Sequence, residues 1–267
     1  MGVRYGQNFL RDQNILRKMV SHLESDQETL VEIGCGDGVL SEVLLDYCQT
    51  LHIIEIDDVC IEKTKLRLQE KADLEGKKLC FHHQDVLTLD LAGILLKPVC
   101  IVANVPYYIS AKLIQWMVFQ RSFIKKAFLM FQKEVVQKFV AKPGQNLYTS
   151  LSVYAQFYFR MSYLFTVSAQ CFRPSPQVES AVMSLKRKDE IVDLDESLFF
   201  TFVRSCFWAR RKTVKRALLS SPYLKLDDKV VEEPFFMSVQ KRRAETISLE
   251  EFIVLFLNIK SFINAVS

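Results

Sequence analysis

The stretch Leu30-Val31-Glu32-Ile33-Gly34-Cys35-Gly36-Asp37-Gly38 decides the fold. Its apolar first half predicts a short buried strand. The glycines predict a loop whose backbone a bulky ligand can approach, because glycine has no side chain. The apolar spacing of residues 39–48 then predicts a helix. A strand, a glycine loop and a helix in this order are typical of the α/β half-fold that binds nucleotides.

The spacing of the glycines and the next acidic residue favour an adenosine-bearing ligand. The G-x-G-x-G series at residues 34–38 lacks the last glycine of the dinucleotide-binding pattern G-x-G-x-x-G. Residues 51–56 predict the next strand. Glu55 lies 17 positions after Gly38, near the spacing of roughly 20 residues at which a carboxylate typically binds both ribose hydroxyls. The alternative is that Glu55 is a surface acid that caps a helix beginning near Asp57.

Further strands extend the same predicted sheet. Apolar runs predict them at residues 80–86, 99–102 and 127–131. Strands that alternate with helices indicate a mostly parallel sheet, whose ligands bind at the carboxyl ends of the strands. The glycine loop, Glu55, Asp85 and Asn104 all fall at such ends, and Asp85 is positioned to accept from an adenine amino group while Val86 packs on the ring. His82 and His83 lack neighbouring metal ligands at suitable spacing, so no metal site is predicted.

A second motif, Asn104-Val105-Pro106-Tyr107, ends the predicted fourth strand. The side-chain carbonyl of Asn104 and the backbone carbonyl of Val105 are two acceptors in a turn that Pro106 stiffens. Two such acceptors can hold both N–H bonds of an exocyclic amine, which points its lone pair at an incoming carbon. Tyr107 adds a flat face on which an unstacked base can rest. The alternative is that Pro106 merely ends a buried strand and Tyr107 covers the core.

Composition predicts a globular cytoplasmic protein. The chain has 267 residues, 49% of them hydrophobic, with only eight glycines and seven prolines. No apolar run reaches the roughly 18 residues of a membrane span, and the N-terminus lacks the apolar segment of a signal peptide. The seven cysteines are scattered without a C-x-x-C pair, which fits a reducing compartment and argues against a disulfide framework or a zinc site.

The C-terminal part has a different character. Residues 1–188, with a basic arm at 1–20, are predicted as the ligand-binding domain, and 189–267 as a small helical domain. The alternation in residues 177–186 predicts an edge strand, and Phe172 precedes a proline-stiffened loop, where a strand-buried role is hard to arrange.

The net charge is only +4. One segment has six basic residues and no acid. We expect these residues to bind phosphates, the alternative being a solvated helix face: Arg204, Arg210, Arg211, Lys212, Lys215 and Arg216.

Together these motifs resemble the ribosomal RNA adenine dimethyltransferases of the KsgA type, over residues 6–252. The matching motifs are Gln7-Asn8-Phe9-Leu10, residues 32–38, Glu55, Asp85, residues 104–107, Phe172-Arg173-Pro174-Ser175-Pro176, residues 210–213 and residues 243–248. The last two motifs resemble the small-subunit enzymes and not the large-subunit resistance methylases. Two places depart from the family pattern. Cys35 replaces a common proline, and Ser168 and Ala169 replace a usual proline pair before Phe172.

The resemblance implies a Rossmann-like class I methyltransferase sheet that uses S-adenosylmethionine. The cofactor-binding residues it implies are Gln7, Asn8, Leu10, Gly34, Gly36, Glu55, Asp85, Val86 and Asn104. The catalytic residues it implies are Asn104, Val105, Pro106, Tyr107 and Phe172, the phenylalanine facing the target base.

The activity it implies is dimethylation of two adjacent adenosines in the 3′-terminal hairpin of small-subunit (16S) rRNA, during maturation of the 30S ribosomal subunit. We expect a monomer with neither a metal nor a membrane partner. Two alternatives stay open: a ribosome assembly or nucleic-acid-binding factor for which methyl transfer is incidental, and a large-subunit rRNA adenine methylase.

Overall fold

The chain forms two compact units. The structure, a computed structural model, describes residues 8–24, 27–104 and 106–265. The first unit contains residues up to Val136 together with Arg160–Arg187, and the second contains Gln137–Phe159 and the residues from Lys188 onward.

Helices and strands alternate along most of the first unit. In chain order the elements are β1 (Phe9–Leu10), α1 (Gln13–Val20), β2 (Gln27–Ile33), α2 (Val39–Leu45), β3 (Cys48–Glu55), α3 (Asp58–Glu75), β4 (Lys78–His83), β5 (Val99–Asn104), α4 (Ser110–Phe119), β6 (Ile124–Gln132), α5 (Lys133–Val140), α6 (Ser150–Tyr158), β7 (Phe159–Val167), β8 (Phe172–Arg173), β9 (Ser180–Arg187), α7 (Glu196–Phe207), α8 (Val214–Leu219), β10 (Leu224–Leu226), α9 (Pro234–Val239), α10 (Leu249–Ile259) and β11 (Ile263–Ala265).

A seven-stranded mixed sheet, counted over the described residues, is the framework of the first unit. Its strand order is β4-β3-β2-β5-β6-β9-β7. The five strands from β4 to β6 are parallel to their neighbours, and β9 runs antiparallel to β6. The predicted mostly parallel α/β sheet is therefore confirmed. β2 is the middle one of the five parallel strands, and its last four residues, 30–33, are buried, which is typical of a strand covered on both faces.

The prediction that residues 177–186 form an edge strand is wrong. β9 lies between β6 and β7, and most of its residues are buried. The serines in its alternating pattern resembled a solvent-facing side. Ser180, however, is fully buried and its hydroxyl is hydrogen-bonded to the Tyr107 hydroxyl, so a polar side chain is accommodated inside the sheet.

The second unit is built around aromatic side chains. Phe157 on α6 packs against Phe199 on α7, with ring centroids 5.3 Å apart, and Phe199 packs at the same distance against Phe256 on α10. Phe157, Phe199 and Phe256 are all buried. Residues 137–159, which the sequence analysis assigned to the first domain, therefore lie with the helical unit, because the rings of α6 pack on α7.

Two further features concern the sequence expectations. All seven cysteines are free thiols. Within the described residues, no helix has the length and apolar character to cross a bilayer.

Candidate active site

A cavity of about 250 Å³ opens at the carboxyl ends of the parallel strands in the first unit. The predicted site residues that line it are Asn8, Leu10, Gly34, Gly36, Glu55, Asp85, Val86, Asn104, Pro106 and Tyr107. Gln7 and Val105 lie outside the described residues. The convergence follows from the topology, because β2, β3, β4 and β5 are neighbours that all run in one direction.

The glycine loop needs its glycines for two physical reasons. Gly34, Gly36 and Gly38 have φ angles of 79°, 57° and 80°, which side chains of L-residues rarely allow. A Cβ on Gly36 would also lie 3.0 Å from the Phe9 ring, and one on Gly38 would lie 3.0 Å from the Thr64 hydroxyl oxygen. The loop therefore presents bare backbone to the cavity while it packs closely against β1 and α3.

Side chains of the short strand β1 and of the residue after it contact this loop. Arg11 forms an ion pair with Asp37 at 2.6 Å, and its guanidinium carbon lies 5.9 Å from the centre of the Phe9 ring. Phe9 lines the cavity and contacts the position where Gly36 lacks a side chain. The Phe9 ring is therefore part of the cavity wall and packs against the glycine loop.

Glu55 ends β3 and is only 6% exposed. One carboxylate oxygen accepts from the backbone N–H groups of Ile56 at 2.8 Å and Asp57 at 3.0 Å. The other accepts from Gly36 N–H at 3.3 Å. The alternative reading as an exposed helix cap does not hold, since Asp57 itself caps α3 and Glu55 is buried in the cavity wall. A fixed carboxylate of this kind can accept from the vicinal hydroxyls of a ribose.

Asp85 and Val86 follow β4 and lie side by side on the cavity wall. One oxygen of Asp85 accepts from the Leu87 backbone N–H at 2.9 Å, which fixes the carboxylate at the start of a short turn. Val86 is 6% exposed and presents an apolar surface. This pair offers an acceptor for an amino group beside a flat apolar contact for a ring.

Asn104 and Tyr107 stand at the end of β5. Asn104 is half-buried, lines the cavity and has no side-chain hydrogen bond to any described residue, so its amide is available to a ligand. The Tyr107 hydroxyl is 2.7 Å from the Ser180 hydroxyl, and the Ser110 hydroxyl donates to the Tyr107 carbonyl at 2.8 Å. Burial raises the pKa of Tyr107 above its usual value, so the phenol stays neutral. The contact with Ser180 restrains the ring at its hydroxyl end.

Phe172 corrects a sequence expectation. It belongs to β8, pairs with Leu10 of β1 and is 1% exposed within the apolar core. The loop that begins at Arg173 therefore does not expose this ring, because two-stranded pairing with β1 covers it. Phe172 is not among the residues that line the cavity, and its contact here is with the N-terminal strand that carries Phe9.

A buried acid lies behind the glycine loop. Glu32 is fully buried, and neither carboxylate oxygen has a hydrogen-bond partner among the described residues. Burial raises the pKa of Glu32 to about 8; the nearby Ser41 hydroxyl lowers it somewhat without forming a regular hydrogen bond, and the charge of Glu55 raises it. Burial also raises the pKa of the Cys35 thiol far above its usual value, which makes this thiol a poor nucleophile.

The predicted RNA-contacting residues lie in the second unit. All six are exposed except Lys215, which is partly buried. Arg210 already donates to the Asn146 backbone carbonyl at 2.7 Å, so part of its donor capacity is used within the unit. Within the described part of the chain, no salt bridge joins these six side chains to an acid.

Sequence reasoning missed several residues of the cavity wall: Phe9, Ile56, Leu87, Tyr108, Ile109 and Lys112. Most of them are sequence neighbours of a predicted site residue. Their position next to the end of a strand could therefore have identified them. Lys112 is an exposed cation at the rim. Lys112 lies one helical turn after Tyr108. Its position at the rim depends on where α4 begins, at Ser110.

Comparison with known proteins agrees with this geometry. The sequence profile described as ribosomal RNA adenine dimethylase matches residues 2–253. The chain belongs to the ribosomal RNA adenine dimethylase family. The resemblance of its motifs to that family is therefore confirmed.

Curated relatives of this family are similar over nearly their whole length. The Clostridium botulinum protein named ribosomal RNA small subunit methyltransferase A is 35% identical over 254 residues, which is 92% of this chain and 90% of the relative. The protein of the same name from Flavobacterium johnsoniae is 36% identical over 259 residues, covering 96% and 94% of the two chains.

Solved structures share the fold. A dimethyladenosine transferase from Plasmodium falciparum superposes with a TM-score of 0.81 at 22% identity, covering 95% of this chain and 98% of that one. The 23S rRNA methyltransferase ErmE superposes with a TM-score of 0.71, also at 22% identity, covering 95% and 100%. At this level of identity both comparisons bear on the fold alone.

The cofactor of the family is S-adenosylmethionine, and the cavity suits it. Gly34 and Gly36 line the cavity without side chains, and the Glu55 carboxylate on the same wall can accept from a ribose. Asp85 and Val86 offer the acceptor and the apolar face that an adenine ring needs. The protein is therefore an S-adenosylmethionine-dependent rRNA adenine dimethyltransferase of the α/β methyltransferase fold.

Proposed function

We propose that this protein dimethylates the exocyclic amines of two adjacent adenosines in the 3′-terminal hairpin of small-subunit (16S) rRNA, as a step in maturation of the 30S subunit. One observation carries the proposal: the glycine loop, Glu55, Asp85 and the corner at Asn104 and Tyr107 all line one cavity. The names and identities of the small-subunit relatives support the choice of RNA.

Glu55, Asp85 and the glycine loop have the task of holding the cofactor. Glu55 accepts from the ribose, Asp85 accepts from the adenine amine, and Val86 packs on its ring. Asn8 and Leu10 lie on the same wall, and together with Gln7 they are assigned to the methionine end of the cofactor. Bound S-adenosylmethionine supplies a sulfonium methyl group, which is already a strong electrophile. The chain's own contribution is therefore position and exclusion of water.

Asn104 and Tyr107 have the task of holding the target base. The side-chain carbonyl of Asn104 accepts from one N–H of the amine, and the carbonyl of Val105 is assigned the other. Gripping these bonds favours a pyramidal nitrogen whose lone pair faces the methyl group. Tyr107, fixed by Ser180, stacks on the extruded base, and Pro106 stiffens the turn. After the first transfer the amine keeps one N–H, so one of the two acceptors holds it during the second transfer, and each transfer releases one proton from the nitrogen to water. Phe172 supports β1 in this structure and acts on the base only through that strand.

The second unit supplies phosphate contacts. Six basic side chains between Arg204 and Arg216 are assigned to the RNA backbone, where they add affinity without reading sequence. A cytoplasmic monomer that acts on the small ribosomal subunit fits these assignments. Neither a metal ion nor a membrane has a part in the proposed reaction.

The test is methyl transfer to a defined nucleoside. The purified protein is incubated with methyl-labelled S-adenosylmethionine and small subunits from cells that lack this modification, and the rRNA is digested. We expect dimethyladenosine confined to small-subunit rRNA, and no label with Asn104→Ala.

Other outcomes separate the alternatives. Label in large-subunit rRNA would favour the large-subunit methylase. Tight binding to small subunits without label would favour an assembly or nucleic-acid-binding factor and refute the proposed catalysis.

A further inference from the structure

An exposed tryptophan lies in the basic part of the second unit. Trp208 directly follows α7 and is 50% exposed. The chain's other tryptophan, Trp116, is only 6% exposed, and its indole N–H donates to the Leu89 carbonyl at 2.8 Å. Trp116 is therefore a core residue, whereas Trp208 holds a large aromatic surface in solvent.

Neighbouring side chains hold the Trp208 ring in place. The Tyr223 ring packs edge-to-face against it, with centroids 5.3 Å apart and planes at 88°. The guanidinium of Arg204, one helical turn before Trp208, lies 3.7 Å from the centre of the Tyr223 ring. Edge-to-face and cation–π contacts of this kind favour one orientation of a ring. The indole therefore packs against Tyr223 on one side while half of its surface stays in solvent.

The surroundings of Trp208 favour a polyanion. Residues 204–216 contain six cationic side chains and no acid. In the described part of the chain none of these cations is engaged in a salt bridge. An exposed aromatic ring beside cations is the arrangement by which proteins hold the phosphates of a single strand while a base stacks on the ring.

We propose that Trp208, braced by Tyr223 and Arg204, is a stacking platform for an unpaired RNA base, separate from the base that the catalytic corner receives. This rests on the proposed function in one respect, namely that the substrate is RNA. The platform holds a second nucleotide while the neighbouring cations hold its phosphates.

The first test uses the tryptophan emission. A protein-free transcript of the unmethylated 3′ hairpin is titrated into the protein, and binding is followed independently by the anisotropy of a dye on the RNA. Stacking on a base quenches indole emission, so we expect quenching of the wild-type protein that tracks binding. Trp208→Phe, which keeps only the buried Trp116, is expected to bind the transcript with no quenching.

The second test uses affinity. We expect Trp208→Ala to weaken transcript binding about tenfold and Trp208→Phe to retain most of the affinity, because any aromatic face stacks on a base. Leu219→Ala is the matched control, since Leu219 is 52% exposed and lies in the same unit but has no ring. The salt dependence of binding should be unchanged in Trp208→Ala and shallower in Arg211→Ala.

Several results would overturn the platform. They are unquenched emission at saturation, wild-type affinity in Trp208→Ala, or a change of oligomeric state and not of RNA affinity in that variant. Methyl transfer to small subunits, measured on the same preparations, separates the two proposals. Methyl transfer without quenching of the tryptophan emission would refute the platform alone. Quenching without methyl transfer would refute the proposed function alone.

Discussion

The Glu55 carboxylate accepts a hydrogen bond from the Gly36 backbone N–H at 3.3 Å, which joins the ends of two neighbouring parallel strands. The same side chain accepts from the Ile56 and Asp57 N–H groups. Three backbone donors therefore orient the carboxylate before any ligand arrives. Preorganised acceptors lose less conformational entropy on binding than free ones.

Glu55→Gln should weaken S-adenosylmethionine binding by roughly 10- to 100-fold, because charge-assisted hydrogen bonds are worth about 1.5–3 kcal/mol. Isothermal titration measures this directly. Glu62→Gln removes an exposed carboxylate from α3 and should leave affinity unchanged. Equal affinities of wild type and Glu55→Gln would remove Glu55 from the cofactor site.

Asn104→Ala should lower the rate of methyl transfer by at least about 100-fold, since the positioned acceptor for the amine is lost. Cofactor binding should stay near the wild-type value, because Asn104 is only one of the residues assigned to the cofactor, and the glycine loop, Glu55 and Asp85 are untouched. Single-turnover kinetics and titration of the cofactor are measured on the same preparation. A variant that loses cofactor binding first would contradict the assigned role.

Tyr107→Phe should keep the stacking ring and lose only the contact with Ser180. We expect methyl transfer within about tenfold of wild type, and stability lower by about 1–3 kcal/mol because the buried Ser180 hydroxyl loses its partner. Adding Ser180→Ala should restore part of that stability, which denaturant unfolding measures. Tyr107→Ala, in contrast, should remove most activity. A Tyr107→Phe variant as inactive as Tyr107→Ala would show that the hydroxyl, and not the ring, is needed.

Two glycines with similar backbones separate conformational strain from crowding. Gly38 and Gly76 have φ angles of 80° and 64°, but a Cβ would meet Thr64 at 3.0 Å only at Gly38, whereas Gly76 has nothing within 4 Å. Gly76→Ala should cost about 1–2 kcal/mol for its backbone conformation alone. Gly38→Ala should cost at least about 1 kcal/mol more and weaken cofactor binding. Equal losses in the two variants, measured by denaturant unfolding, would contradict the crowding argument.

The sheet and its polar edge could be predicted because strand-end residues follow a simple rule. Glu55, Asp85 and Asn104 each end or follow an apolar run, and parallel strands bring such positions together. What failed depended on partners distant in the sequence. Phe172 is covered by pairing with Leu10, and Ser180 is satisfied by Tyr107. Neither contact has a local signal.

The boundary between the units shows the same limit. Residues 137–159 continue directly from the first unit, with no change of composition to mark a boundary. Their assignment is decided by rings from α7 that pack on α6. The sequence alone reveals a linker such as the charged segment after Arg187, but it does not reveal that α6 packs in the core of the second unit.

Glu32→Gln should stabilise the protein, and by more as the pH rises. Burial raises the pKa of Glu32 from 4.5 to about 8 in the folded state. Between these values the unfolded chain releases the proton while the folded chain keeps it, so the free energy of unfolding falls as pH rises from about 4.5 to about 8 and is constant above that. Since each pKa unit corresponds to about 1.4 kcal/mol, we expect the free energies of unfolding of the two proteins to differ by a few kcal/mol at pH 8 and by little at pH 4.5.

Glutamine keeps the shape without the charge, and urea unfolding across this pH range measures the difference. Glu70→Gln, on the exposed face of α3, removes one carboxylate from the surface and should give no stabilisation that grows with pH. Parallel pH profiles for wild type and Glu32→Gln would show that Glu32 does not hold its proton in the folded protein.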